Sequence, residues 1–153
     1  MKNIFKIILT VAVAIMAAAC GNKDNGPEVS TEIIGEWHLK EMSGTVASSL
    51  PQVYVNFKQD KNFELYQKVG EGRFRKYTGT YAVDGSVLTG KYSDGADWGS
   101  AYAVAFESEE LVLTAQNGSE EVCRYEKKSL SQSDKDNSVV ITKSEEYQAP
   151  RFL

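Results

Sequence analysis

At 153 residues, with 42% hydrophobic and 25% charged side chains, the chain has enough apolar material for one folded domain and too little length for several. Its 21 acidic and 17 basic residues give a net charge of −4, and an acidic surface repels phosphate backbones and anionic headgroups, which argues against nucleic acid as a partner. One histidine and two cysteines cannot build a His–Cys zinc cage, and no Gly-x-Ser-x-Gly, phosphate-loop or dinucleotide fingerprint occurs, so no catalytic residues, metal or cofactor are expected.

The first 19 residues have the layout of a secretory leader: Lys2 and Lys6 supply positive charge, residues 7–16 are apolar apart from Thr10, and Ala17, Ala18 and Ala19 are small. The uncharged run is short for a membrane span. Ala17-Ala18-Ala19-Cys20 resembles the bacterial lipobox, with Ala17 where a larger aliphatic residue is usual. That resemblance implies cleavage before Cys20, a diacylglyceryl thioether on Cys20 and an acyl chain such as palmitate on its amine; stable anchoring needs more than one chain. An ordinary signal peptide cut after Ala19 is the alternative. Without Lys2 and Lys6, 15 basic residues face 21 acidic ones, a net of −6. Gly21, in place of the aspartate that favours inner-membrane retention in some bacteria, points to the outer membrane, with periplasmic and surface faces both open. If Cys20 is acylated, Cys123 has no disulfide partner, and its place in an alternating segment suits a small buried hydrophobe.

Residues 20–32 are polar, with Gly26 and Pro27, and suit a flexible tether behind the lipid. Between residues 33 and 128, short alternating segments rich in Tyr, Phe, Val and Thr follow one another without a helical repeat. Eight strands are expected. Trp37 and Leu39 share a face of the first, with His38 turned to solvent, and Val53, Val55 and Phe57 share a face of the second. Phe63, Leu65 and Val69 mark the third, and Tyr77, Gly79, Tyr81 and Val83 the fourth. Asp84-Gly85 predicts a tight type I′ hairpin, leading to Leu88, Gly90 and Tyr92 on the fifth. A loop with Asp94, Asp97 and Trp98 precedes Tyr102, Val104 and Phe106 on the sixth. Leu111 and Leu113 mark the seventh, Asn117-Gly118 gives a second hairpin signal, and residues 122–127 form the eighth.

Eight strands on short turns make an all-β antiparallel up-and-down meander, and closing it into a barrel removes both raw edges. A two-sheet sandwich of the same strands is the competing architecture. Residues 129–153 form a polar tail whose final Pro150-Arg151-Phe152-Leu153 either docks on the barrel or stays mobile.

Gly35-Glu36-Trp37 resembles the Gly-x-Trp signature of lipocalins. Together with the lipobox, Val53-Tyr54-Val55-Asn56-Phe57, Gly79-Thr80-Tyr81, the Tyr92-to-Gly95 stretch and the Pro-Arg-Phe-Leu ending, the chain resembles small lipocalin-like lipoproteins of Bacteroidetes over residues 17–153. The resemblance implies an eight-stranded, lipocalin-like barrel with a binding role, a Trp37 that plugs one end, and an arginine packed across it, for which Arg124, Arg73 and Arg75 are candidates. A Thr-Asp-Tyr-like turn near the seventh strand has no counterpart.

The aromatic residues carry the binding hypothesis. Trp37, Phe57, Phe63, Tyr81, Tyr92, Tyr102 and Phe106 fall on inward-phase positions, and Trp98 sits on a loop suited to a rim. Such a barrel is wide enough to be filled by side chains or to hold one small ligand; Gly79 and Gly90 remove side chains from the same phase. Two functions fit. In one, these eight aromatics bind a small, mostly apolar molecule, with tyrosine hydroxyls orienting it. In the other, a filled barrel contacts another cell-envelope protein or a glycan through Trp98 and the tail. Asp94 and Asp97 suit either a cation or sugar contact or plain turn chemistry.

Overall fold

The computed structural model describes residues 28–43, 45–46, 50–142 and 151–153. The leader, Cys20 and most of the expected tether lie outside the described residues. After a short helix, α1 (Val29–Glu32), come β1 (Gly35–Met42), β2 (Thr45–Val46), β3 (Gln52–Phe57), β4 (Asn62–Lys68), β5 (Arg75–Asp84), β6 (Val87–Tyr92), β7 (Tyr102–Glu107), β8 (Glu110–Ala115) and β9 (Val122–Lys127). Helix α2 (Gln132–Asp136) and the two-residue β10 (Val139–Val140) follow.

The long strands β1 and β3–β9 each pair antiparallel with the next, and β1 pairs with both β3 and β9, so the sheet closes on itself. The eight-stranded barrel is therefore established and the sandwich is not formed. The alternation gives every strand one apolar face to bury, and closing the sheet hides all eight while leaving no raw edge, which a sandwich of the same strands would keep. On β3, for example, Val53, Val55 and Phe57 are buried while their neighbours are not. Val69 falls beyond the end of β4 and is exposed, having been counted as a third-strand core position. The alternation had run out at Lys68, and Gly70 turns the chain with φ +70°.

The two ends of the barrel differ. At the end where β1 begins, β3–β4, β5–β6 and β7–β8 are joined by short turns; at the other end the connections are longer. The β5–β6 turn is centred on Gly85-Ser86, since Asp84 pairs with Val87, and only Gly85 has positive φ (58°). That is the type II′ pattern, with glycine first, and it corrects the expected type I′ turn on Asp84-Gly85. The turn with two positive φ values is instead Ser108-Glu109 (50° and 68°), between paired Glu107 and Glu110. The Asn117-Gly118 connection reverses the chain over a longer loop, in which the Asn117 side-chain oxygen accepts from the Ser119 amide at 3.1 Å.

The seam between β6 and β7 is the shortest of the barrel, with Val87 opposite Ala103 and Leu88 opposite Tyr102 only. Farther along β6 the backbone pairs with its own loop: the Trp98 amide donates to the Gly90 carbonyl (3.0 Å) and the Tyr92 amide to the Ala96 carbonyl (2.8 Å). This is how buried strand groups stay satisfied where the neighbouring strand has departed.

The segments outside the barrel are more ordered than their polarity suggests. Residues 29–32, the end of the expected tether, form helix α1, and Val29 packs against the core. In the tail, Leu130 is buried with Tyr66 and Phe74 in a small cluster outside the barrel, β10 runs parallel to the free start of β5, and Leu153 joins the main core. The tail docks.

Candidate functional site: the barrel interior and its mouth

The end with short turns is closed by Trp37. Its ring is 2% exposed, its Nε1 donates to the Ile33 carbonyl at 2.8 Å, and Phe106 tilts against it at 6.0 Å. The cation across the ring is Lys127, with Nζ 5.1 Å from the ring centroid, rather than any of the arginine candidates. Cys123 and Tyr125 are buried, so the inward phase of β9 continues to 127 and Arg124 lies outside, paired with Glu107 at 2.8 Å. His38 also lies on the outer face, but it is largely covered and not turned to solvent as expected: its side chain is 14% exposed, it stacks on Tyr54 at 4.4 Å, and its Nδ1 lies 3.0 Å from Glu126.

All eight aromatics read from the sequence meet in one core cluster, with Phe106 only partly buried at its margin. Phe57 meets Tyr81 at 5.0 Å, Phe63 meets Tyr92 at 5.6 Å, and Trp98 lies 5.1 Å from Phe63 and 6.2 Å from Tyr102. These edge-on pairs are the favoured geometry for aromatic quadrupoles. Trp98 is not on a rim. It is 7% exposed and folded across Gly90, where an added Cβ would stand 2.2 Å from its Cε2. Gly79 is similarly occupied: a Cβ there would meet the Lys91 carbonyl oxygen at 2.0 Å and Phe63 at 2.7 Å. The two glycines thus admit neighbouring rings and backbone, and open no space of their own.

Two tyrosine hydroxyls are already engaged. Tyr81 donates to the Lys58 carbonyl at 2.7 Å, and Tyr92 donates to the Leu153 carbonyl at 2.8 Å. Burial pushes the Tyr102 hydroxyl up to about 12 and the Tyr92 hydroxyl higher still, so both remain neutral donors at physiological pH. The indole Nε1 of Trp98 is buried and has no acceptor among the described residues. A donor buried in that state costs about 1–3 kcal/mol.

The mouth holds residues that the sequence reading had not placed in the site. Leu153 is 3% exposed within the core cluster. The Arg151 guanidinium covers the rings of Tyr92 (4.5 Å) and Tyr77 (5.4 Å) and is paired with Asp94. That hydrogen bond holds the Asp94 carboxyl below its ordinary range. The other Asp94 oxygen accepts from the Ala96 amide at 3.0 Å, and exposed Asp97 pairs with Lys91 at 3.0 Å. The two aspartates therefore make turn and ion-pair contacts. Among the described residues no three His, Cys, Asp or Glu side chains gather as a metal site would require.

Cys123 is buried, and desolvation raises its thiol to about 12. It packs as a small hydrophobe. A groove of about 400 Å³ lies over β4–β6, with Lys58, Glu64, Thr78 and Lys91 in its lining. Lys58 is spent on Glu64 at 2.9 Å.

A closed eight-stranded antiparallel barrel, with a tryptophan plug at the start of β1 and an aromatic interior, defines a lipocalin-like protein. The model of the lipocalin-like domain family matches residues 33–113, more than half of the chain, and the chain belongs to that family. No curated protein matches the chain. A lipocalin-like barrel suggests small-molecule binding and is typically a binding fold, not a catalytic one.

Proposed function

We propose that the protein is a lipid-anchored binding protein that holds a small, mostly apolar molecule non-covalently at the aromatic interior of its barrel. The observation that carries this reading is the convergence of Trp37, Phe57, Phe63, Tyr81, Tyr92, Trp98, Tyr102 and Phe106 on one enclosed cluster. Rings supply desolvation and shape for an apolar guest, and the unpaired Trp98 Nε1 suits an oxygen acceptor on that guest. Because the rings touch one another, the guest enters by displacing side chains at the mouth. Anchoring is assigned to Cys20 within Ala17-Ala18-Ala19-Cys20, and the location to the outer membrane, on the strength of the leader and Gly21.

The test is mass spectrometry of small molecules extracted from the chain secreted with Cys20→Ala, which removes the lipid. A recurrent apolar species at near-stoichiometric amounts is expected, and repeated preparations that carry nothing refute the proposal. The ring-on-ring packing favours one other reading, a filled barrel that contacts a cell-envelope protein or a glycan. That reading loses its aromatic rim, since Trp98 is buried; the exposed large hydrophobics among the described residues are Val69, Val139 and Val140.

A further inference from the structure

The outer wall of the barrel carries a groove that the interior does not involve. Its volume is about 400 Å³ and it lies over β4, β5 and β6. The pairing of these strands sets its form. Asn62 stands opposite Thr80, and Thr80 opposite Lys91. Two residues along, Glu64 stands opposite Thr78, and the Ser93 amide donates to the Thr78 carbonyl at 2.8 Å. Between these rows Phe63, Gly79 and Tyr92 occupy the opposite phase, and both rings are buried in the barrel. Six polar side chains therefore form a grid of two rows by three on a floor of backbone. Rows about 7 Å apart on strands about 5 Å apart match the footprint of one or two sugar rings.

What the grid lacks narrows the occupant. An apolar guest has no side chain to bury against, since Phe63 and Tyr92, the rings in the lining, turn inward. The charges cancel. Lys58 lies 2.9 Å and Lys76 2.8 Å from Glu64, Lys91 lies 3.0 Å from Asp97, and Asp60 accepts from the Asn62 amide at 3.1 Å. Three cations face three anions, so an ion of either sign meets a like charge at close range. A peptide strand finds no edge to extend, because β4, β5 and β6 are paired to one another along the groove. Donors and acceptors in balance remain. A hydroxyl is both donor and acceptor, and a ligand whose neighbouring hydroxyls alternate the two roles meets such a grid. The Thr78 hydroxyl donates to that of Ser93 only at 3.3 Å, and the Lys91–Asp97 pair is exposed and weak. Each exchanges its partner for a ligand hydroxyl at small cost.

We infer that this groove is a saccharide site on the outside of the barrel, taking one or two rings of a neutral glycan through Asn62, Thr78, Thr80, Lys91 and Ser93. It goes beyond the small-molecule reading of the interior and does not depend on it.

The experiment uses the full chain with Cys20→Ala, isotope-labelled for amide resonances, beside the same chain carrying Thr78→Val and Thr80→Val together. Valine keeps the branched shape and strand preference of threonine and removes the hydroxyls; equal urea midpoints check that both chains fold alike. Maltose, lactose, mannobiose and N,N′-diacetylchitobiose are titrated to about 50 mM, well above the millimolar Kd expected of so open a site. At least one is expected to shift the amides of residues 78–80 and 91–93 saturably, and the double variant to bind it about tenfold or more weakly. Where the double variant unfolds, Thr80→Val alone, at an exposed position, carries the same test. Inorganic phosphate and glucuronate are expected to leave those amides unmoved. Saccharide shifts that are absent, unsaturable or confined to other parts of the chain overturn the proposal, as does equal affinity once the hydroxyls are gone. A stronger response to phosphate or glucuronate than to every neutral sugar overturns the neutral class. All of these outcomes leave the interior reading standing, since neither variant alters an inward-facing residue.

Discussion

Gly90→Ala tests how the interior is filled. A Cβ at position 90 would stand 2.2 Å from Cε2, 2.4 Å from Cζ2 and 2.6 Å from Cδ2 of Trp98. Carbon atoms need about 3.5 Å or more, so the ring must retreat by more than about 1 Å. It has little room, because Phe63 and Tyr102 stand 5.1 and 6.2 Å from its centroid and its own amide is tied to the Gly90 carbonyl at 3.0 Å. If the ring shifts within the core, overpacking costs about 1–3 kcal/mol. If it is expelled, the lost burial of an indole of about 150–250 Å² costs roughly 4–6 kcal/mol. Rehydration of its unpaired Nε1 returns about 1–3 kcal/mol of that. The first route predicts a loss of about 1–3 kcal/mol and the second about 1–5 kcal/mol, out of a typical total of roughly 5–15 kcal/mol. Urea denaturation followed by far-ultraviolet circular dichroism measures the loss. In a Trp37→Phe background, Trp98 emission reports the ring's surroundings and shifts to the red on expulsion. The penalty should largely vanish in a Trp98→Leu background, as coupled neighbours require. A Gly90→Ala variant within about 0.5 kcal/mol of the parent, or one equally destabilised without the indole, refutes the close-contact account.

In a Cys20→Ser background, native Cys123 is expected to react with iodoacetamide at pH 8 about a thousandfold more slowly than the urea-unfolded chain, because a thiol raised to about 12 holds almost no thiolate; comparable rates would show the thiol to be accessible. Replacing Ser108-Glu109 by Asn-Gly should stabilise the fold by about 1 kcal/mol in urea, since both positions hold positive φ against their side chains; an unchanged midpoint contradicts the turn geometry. Docking of the tail should weaken in acid. The Asp94 carboxyl is depressed in the folded state, so its contribution is fully present above the ordinary carboxylate value near 3.8 and is lost as pH falls through the lower folded value. The Leu153 methyl resonances should therefore move toward solvent-exposed positions below about pH 4, and Asp94→Asn should abolish that response; methyls that ignore acid sever the tail from Asp94.

The barrel was legible because period two is a strong signal. Once Trp37, Val55, Tyr81 and Phe106 are assigned to one side of their strands, the pleat fixes the side of every neighbour, and the structure keeps those phases. Phase says which way a side chain points and nothing about how far its neighbours reach. Gly79 and Gly90 were read as vacancies for that reason, and each is overlaid by a ring arriving from elsewhere in the chain. Trp98 was read as a rim because its loop is polar and glycine-rich; loop polarity does not report whether the chain folds back to complete an unfinished strand edge. The cation across Trp37 was sought among arginines on the strength of resemblance, whereas counting the inward phase of β9 from Cys123 through Tyr125 leads to Lys127. Leu153 carried a signal that could have been weighed more heavily. An aromatic and a leucine ending a polar stretch are apolar surface with few places to hide except an adjacent core.

The two closures of the barrel are built from different kinds of structure, and on the proposed small-molecule reading that difference favours one direction of ligand entry. At the Trp37 end, the plug and the residues against it, Phe106 and Lys127, belong to strands β1, β7 and β9, and the plug is tied to Ile33 just ahead of β1. Moving the backbone that carries Trp37 means breaking ladders on both sides of β1, and turning its ring out breaks the bond from its Nε1 to the Ile33 carbonyl. At the mouth, the covering groups are Trp98 from a loop and Leu153 from outside the strands, lying where β6 and β7 share only two paired positions. Opening there disturbs loop hydrogen bonds, one tyrosine–carbonyl bond and one ion pair, while the strand ladders stay whole. Elements with few ladder bonds open locally at a small fraction of the global free energy. On the proposed small-molecule reading, a guest therefore enters at the mouth, where fewer backbone hydrogen bonds are disturbed.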